Sequence, residues 1–252
     1  MSFDDFLNIT NIFKTSYDLD KKVLNCSATH DVASYLKRKI MHDISTENSF
    51  DNGLEVFSGY GVLSYLYSQS IKNLICIEKN KDTYECLKDN LNTHNNIIYH
   101  NNDNIEVLKE LTNKFDFIDV DPFGNCYNQL EIISNNNLYS KEKLLLCITT
   151  GEVMPLQRNL AKNSFLKELY NVDNYISTNI YKFYLDYFDL VNERYFESRL
   201  TLYYHYTFPS SMRIICGIGF DYLIDKLSVY KNVLYRTEHY NDIYKNKRKG
   251  IF

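Results

Sequence analysis

Residues 54–66 read LEVFSGYGVLSYL, and this stretch decides how the rest of the chain is read. The chain carries only 8 glycines in 252 residues, yet Gly59 and Gly61 stand one residue apart. An apolar run holding Glu55 comes before them, and a helix-like pattern follows. Glycine adopts positive φ without penalty and lets the backbone pass close to a ligand. The stretch therefore predicts a strand, a tight turn and a helix whose start faces a ligand.

Short apolar runs recur on both sides of this turn. Leu54–Phe57, Leu74–Ile77, Ile97–Tyr99, Phe115–Val120 and Leu144–Thr149 are strand candidates separated by amphipathic segments. That alternation predicts a parallel sheet covered on both faces. The end of the chain differs. RLTLYYHYTF (199–208) alternates Leu200, Leu202, Tyr204, Tyr206 and Phe208 on one side with Thr201, Tyr203, His205 and Thr207 on the other, and PSS then leads into MRIICGIGF. Strands joined so tightly must be antiparallel, because a parallel pair needs a long crossover. The expectation is α/β: five parallel strands closed by an antiparallel C-terminal hairpin.

Residues 1–50 read as a helical lead-in. Val32, Leu36, Ile40 and Ile44 recur at i+4 behind a cap at Thr29 or Asp31. The expected divisions are thus this lead-in (1–50), a sheet domain (51–220) and a C-terminal extension with a basic tail (221–252).

Composition narrows the function classes. Hydrophobic residues make up 44%, enough for a full core. The opening MSFDDFLNIT has acids where a secretory signal is basic, and no apolar run approaches membrane-spanning length. A soluble, cytoplasmic protein is expected, with no membrane partner. Six scattered cysteines form no CxxC pair, so buried thiols are expected rather than disulfides or a metal site. The net charge of −4 argues against a generally basic nucleic-acid binder. Two local clusters, Lys37, Arg38 and Lys39, and Lys245, Lys247, Arg248 and Lys249, are either phosphate contacts or solvated surface.

Four segments fall at the carboxyl ends of predicted strands, where open α/β sheets bind ligands. They are the glycine turn from Glu55 to Gly61, LICIEKN with Glu78, HNNDNIEVL with Asp103, and FDFIDVDPFGN with Asp121-Pro122-Phe123-Gly124. In this order and spacing the sequence resembles the class I S-adenosylmethionine (SAM)-dependent methyltransferases over roughly residues 50–220. The resemblance implies a Rossmann-like, mostly parallel seven-stranded sheet ending in the antiparallel hairpin, with SAM as cofactor. It also implies that Gly59 and Gly61 pass under the methionine part, Glu78 binds the ribose and Asp103 meets the adenine amine. Glu55, Phe57, Lys79, Asn104 and Asp121 complete the implied cofactor set. A carboxylate accepting two ribose O–H groups is sound chemistry whatever the family. The competing dinucleotide fingerprint is weakened by Ser64, which stands where GxGxxG has its third glycine.

DPFG narrows the implied reaction. It is similar to the (Asn/Asp/Ser)-Pro-Pro-aromatic motif of amino-methyltransferases, and in its DPFG form to the tRNA guanine-N2 dimethyltransferases. The glycine stretch is more similar to small rRNA guanine-N2 methyltransferases. Asp121 and the carbonyl beside Pro122 would accept hydrogen bonds from an exocyclic amine, and Phe123 would stack on the base. Such an amine is a poor nucleophile, and two acceptors aimed at its hydrogens free its lone pair for in-line attack, with no metal required. The implied partner is a nucleic acid, RNA before DNA. DNA adenine-N6 methylation and an inactive methyltransferase-fold binding protein are the alternatives, and DPFG alone also reads as a turn with Asp121 as a helix cap. Thr149, Thr150 and Glu152 either line the target pocket or form a helix-entry turn. Tyr181, Tyr184, Tyr187 and Phe188 have helical spacing and read as packing.

Overall fold

A computed structural model describes residues 1–15, 32–151, 180–207 and 211–232. These residues group into two compact units: those up to Asn104 together with those from Asp225 onward, and those from Ile105 to Ile224. Seven strands make up one mostly parallel sheet, the number the resemblance implied.

In the first unit, α1 (Phe3–Thr10) opens with a capping box. The Ser2 hydroxyl accepts from the Asp5 N–H at 3.1 Å and the Asp5 carboxylate accepts from the Ser2 N–H at 3.0 Å. Helix α2 (Val32–Ser45) buries Leu36, Ile40 and Ile44, the i+4 stripe seen in the sequence, and adds Met41. Its expected cap at Thr29 or Asp31 lies outside the described residues. Strands β1 (Phe50–Glu55), β2 (Ile71–Ile77) and β3 (Ile97–His100) are parallel, in the order β3-β2-β1. Strands β1 and β2 both start earlier than their apolar runs. Phe50 pairs with Ile71 while Asp51, Lys72 and Asn73 point to solvent, so polar residues hide the strand starts. Helix α3 (Val62–Tyr67) follows β1, and α4 (Lys81–Asn90) follows β2 with Asn80 capping the Thr83 N–H at 2.9 Å.

Helix α5 (Asn104–Glu110) leads into the second unit. There β4 (Phe117–Val120) and β5 (Leu144–Thr150) are parallel, with α6 (Tyr127–Asn135) between them in sequence. Helix α7 (Ile180–Phe196) packs Tyr187 on α6, ring centre 6.3 Å from that of Tyr127. Tyr187 and Phe188 are buried, in keeping with packing; the Tyr181 and Tyr184 side chains lie outside the described residues. Strands β6 (Thr201–Thr207) and β7 (Met212–Ile218) form the expected antiparallel hairpin, and β7 is the strand that joins β5, giving β4-β5-β7-β6.

One expectation for β6 fails in detail. The register shifts between Leu202 and Tyr204, so Tyr203 and Tyr204 are both buried and the strict alternation breaks. A bulge puts one extra residue on the strand and turns the next side chains over. Helix α8 (Tyr222–Leu227) and a 3-10 turn (Ser228–Asn232) follow.

The five described cysteines are all buried thiols. Burial pushes Cys147 up to about 12, and Cys76 and Cys216 well above the ordinary thiol range, so all three are held as inert thiols. No described helix is long and apolar enough to cross a membrane.

Candidate active site

In the first unit the chain leaves β1, turns at Ser58–Gly61 and enters α3. Both glycines have positive φ, 54° at Gly59 and 88° at Gly61, for different ends. A Cβ on Gly61 would lie 2.7 Å from Leu87 of α4 and 3.0 Å from Leu91, the residue that ends that helix. Its bareness therefore serves packing against α4, a demand separate from the expected passage beneath the methionine part. A Cβ on Gly59 would meet nothing within 4 Å. Gly59 is the glycine whose open side suits close approach by a ligand.

Glu78, one residue past β2, sits over this turn. Its Oε2 accepts from the Gly59 N–H at 3.0 Å and its Oε1 from the Asn80 N–H at 2.8 Å. Each oxygen has a second lone pair, so the carboxylate can still accept two hydroxyls. Asp103, just past β3, pairs with Lys79 at 2.9 Å, which raises the Lys79 pKa through that hydrogen bond. Lys79 is largely exposed, so solvent screens the pair and leaves it exchangeable. Asn104 is buried at the start of α5, and Phe57 is half-buried between β1 and the turn.

Glu55 behaves otherwise. Expected in the cofactor set, it is turned inward, only 3% exposed. Its Oε2 accepts from the Ser64 hydroxyl at 2.5 Å, and the Cys76 thiol lies 3.6 Å away. A buried carboxylate needs such partners, and the pairing ties β1 to α3 beneath the turn. It also explains why Ser64 occupies its position. A cavity of about 450 Å³ in this unit is bordered by Ser45, Ser49, Ser70, Ile71 and Lys72, at the starts of β1 and β2 rather than at the ends bearing these groups.

In the second unit, Asp121-Pro122-Phe123-Gly124 follows β4. Asp121 and Pro122 are half-buried, and the Phe123 ring is fully exposed. The loop is fastened to the end of β5, where the Gly151 N–H donates to the Gly124 carbonyl at 2.8 Å. A Cβ on Gly151 would come 2.8 Å from the Phe123 carbonyl oxygen, so only glycine lets the two segments meet this closely. Thr149 is half-buried, Thr150 is buried, and Glu152 lies outside the described residues. Behind Asp121 lies the buried Arg213 of β7, its Nη1 3.7 Å from Asp121 Oδ1.

A glycine turn beneath an acid at the end of β2, and an exposed aromatic beside an acid at the end of β4, form the pattern on which comparison with known proteins bears. A family model described as TRM, N2,N2-dimethylguanosine tRNA methyltransferase, matches residues 20–174. That span is more than half of the chain and holds both the glycine turn and DPFG.

The chain belongs to this family.

It is an enzyme, an RNA methyltransferase of the class that uses SAM. Solved structures agree on the fold. Trm1 from Pyrococcus horikoshii, solved in complex with SAM, is 14% identical at a TM-score of 0.58, covering 81% of this chain and 60% of its own. The putative methyltransferase yhhF from Escherichia coli is 14% identical at a TM-score of 0.51, covering 75% of this chain and 87% of its own. This chain thus spans about three-fifths of the Pyrococcus protein's length. No curated protein matches in sequence.

Three residues at these sites carried no signal in sequence. Gly151 stands alone, without a motif. Asn90, at the end of α4, donates to the Tyr60 carbonyl at 2.9 Å and the Lys14 carbonyl at 3.0 Å, and accepts from the Lys14 N–H at 2.8 Å. It ties the glycine turn to the N-terminal segment. Arg213 reads as one charge in an apolar strand and lies outside the matched span.

The first basic cluster needs correction as a phosphate-binding face. Arg38 is buried, and Lys39 pairs with Asp43 at 2.7 Å with its ammonium 5.1 Å from the Phe3 ring centre. The cluster lies on a helix whose inner face is apolar, so Arg38, between the buried Leu36 and Ile40, is drawn into packing. The second cluster, Lys245, Lys247, Arg248 and Lys249, lies outside the described residues.

Proposed function

We propose that this enzyme methylates the exocyclic N2 of a guanosine in tRNA, working in the cytoplasm. Membership in a family described by N2,N2-dimethylguanosine in tRNA carries the reading, and the DPFG loop supplies chemistry that suits it. SAM, when bound, provides a methyl group on a sulfonium, ready for displacement.

The groups present fit that cofactor. Glu78 is pre-oriented by two backbone N–H groups with acceptor capacity to spare, and Gly59 is open on the side a Cβ would fill. Glu78 would take the ribose hydroxyls, Gly59 would let the methionine portion lie against the backbone, and Asp103, exchanging Lys79, would meet the adenine amine. Phe57, Lys79 and Asn104 stand beside these groups. Glu55 and Gly61 act from beneath, holding the turn's shape through Ser64 and α4.

The acceptor would be held by the second unit. The exocyclic amine of guanine has its lone pair delocalised into the ring. The Asp121 carboxylate accepts one amine N–H and the carbonyl beside Pro122 the other, which favours a more tetrahedral nitrogen and points its lone pair outward. Phe123 is exposed and suited to stack on a base that has left its helix or loop. Base stacking on an aromatic contributes about 1–3 kcal/mol. Rate enhancement then comes from orientation and fixed dipoles.

The deciding experiment incubates the protein with methyl-labelled SAM and separate pools of tRNA, rRNA and duplex DNA, followed by nucleoside analysis. Label in N2-methylguanosine or N2,N2-dimethylguanosine of tRNA is the expected result. Label solely as N6-methyladenine in DNA would overturn the substrate and keep the fold and cofactor. Failure to bind SAM by calorimetry would overturn the enzyme reading.

A further inference from the structure

Arg213 is 2% exposed, an unusual place for a guanidinium. It sits on β7 in register with Thr149 of β5 and Tyr206 of β6. Its side chain crosses β5 to reach β4. Nη2 donates to Asp119 Oδ2 at 2.9 Å, and Nη1 donates to the Thr149 hydroxyl at 2.8 Å and faces Asp121 Oδ1 at 3.7 Å. Asp119 is wholly buried. Tyr206 is also buried, and burial pushes its phenol well above the ordinary range, so it brings no charge.

Asp119, in β4, and Asp121, one residue beyond its end, both turn their carboxylates toward Arg213. One guanidinium thus serves two carboxylates. The contact to Asp119 is a charge-assisted hydrogen bond, which fixes the plane of the fork. At 3.7 Å the contact to Asp121 is an ion pair without a hydrogen bond. It gives Asp121 a charged backstop while leaving the carboxylate at the edge of the protein.

We infer that Arg213 is a positioning residue for methyl transfer: locked by Asp119 and Thr149, it sets the orientation of the Asp121 carboxylate that receives the acceptor amine. This rests on the proposed role of Asp121. It extends that reading to a residue outside the span the family model matches. A merely structural alternative exists, in which Arg213 does no more than neutralise buried Asp119.

The two are separated by replacing both partners with apolar residues. Removing one member of a buried pair strands the other, whereas exchanging both for residues of similar size leaves stability close to the parent. Asp119→Leu with Arg213→Met should therefore melt near the parent temperature and bind SAM as the parent does. Its kcat for tRNA methylation should fall roughly tenfold to a hundredfold through misplacement of Asp121. Arg213→Lys keeps the charge but loses the fork. It should lower kcat in the parent background and have little further effect once Asp121→Asn is present.

A double apolar variant with parental kcat overturns the inference, as does an Arg213→Lys loss that persists undiminished beside Asp121→Asn. If the double variant does not fold, the Arg213→Lys cycle decides alone. Absence of methyl transfer by the parent, with SAM still bound, would mark failure of the functional reading itself, and the inference would fall with it.

Discussion

Glu78 and Asp121 occupy corresponding places, each just beyond the carboxyl end of a parallel strand, yet they are held by different means. Glu78 is held by backbone. Its two donors are the N–H of Gly59, in the turn after the neighbouring strand, and that of Asn80, two residues on. Asp121 is backed by a side chain, Arg213, itself pinned by a residue 94 positions away in the sequence. Backbone donors come with the fold and cost no side-chain entropy. A buried guanidinium needs every partner in place, because a stranded charge is expensive. The first arrangement suits binding, where a carboxylate need only be presented. The second suits catalysis, where its angle counts.

The comparison can be broken at its catalytic end. Asp121→Ala should lower turnover roughly a hundredfold or more, because it removes the carboxylate proposed to accept from the exocyclic amine. SAM affinity should stay near the parent value, since the groups proposed to hold most of the cofactor are Glu78, Gly59 and Asp103. Asp121→Asn should fall between, because an amide oxygen accepts one hydrogen bond. Single-turnover rates and calorimetry on the same preparations check this. Parental turnover in Asp121→Ala would reduce DPFG to a turn, and equal losses of binding and turnover would erase the distinction between the two carboxylates.

How much was legible in sequence follows the same division. The glycine turn, Glu78, Asp103 and DPFG stand out as candidates because each sits at a strand end marked by an apolar run, although the partners of Glu78 and Asp103, Gly59 and Lys79, are distant in sequence. The closing hairpin was legible from its short connection. Arg213 was not, because its meaning depends on β7 lying beside β5 and bringing it level with Thr149. Gly151 was invisible for a similar reason: its close approach is to Phe123, across a loop. Glu55 was legible as part of a motif but misread in direction, since spacing does not reveal that Ser64 would draw it inward.

At the binding end, Glu78→Ala should weaken SAM by about 1–3 kcal/mol through lost charge-assisted hydrogen bonds. The two glycines sharpen the point, since their substitutions should fail in different currencies. Gly61→Val drives a branched side chain into Leu87 and Leu91, so loss of stability of about 1–3 kcal/mol should lead. Gly59→Ala meets no protein atom, so its stability cost should be only the roughly 1–2 kcal/mol of a left-handed alanine. Its SAM affinity should fall further than its stability. Chemical denaturation beside calorimetry separates the cases, and the reverse order would place the cofactor elsewhere than over Gly59.

The smallest effect concerns Asn90, which holds the turn from its other side. Its amide donates to the Tyr60 carbonyl between the two glycines and exchanges two hydrogen bonds with the backbone of Lys14. Lys14 also pairs with Asp89 at 2.9 Å, but both side chains are mostly exposed, so the amide is the firmer link. Asn90→Ala should cost about 1 kcal/mol of stability, the usual net effect of losing a few partly exposed hydrogen bonds. Asn90→Asp keeps the acceptor for the Lys14 N–H but loses both donated bonds. It should therefore restore the N-terminal attachment only in part and do nothing for Tyr60. Amide exchange at Lys14 and around Tyr60 reads the two ends separately. If Asn90→Ala leaves both protected as in the parent, the turn is held by its glycines and Glu78 alone.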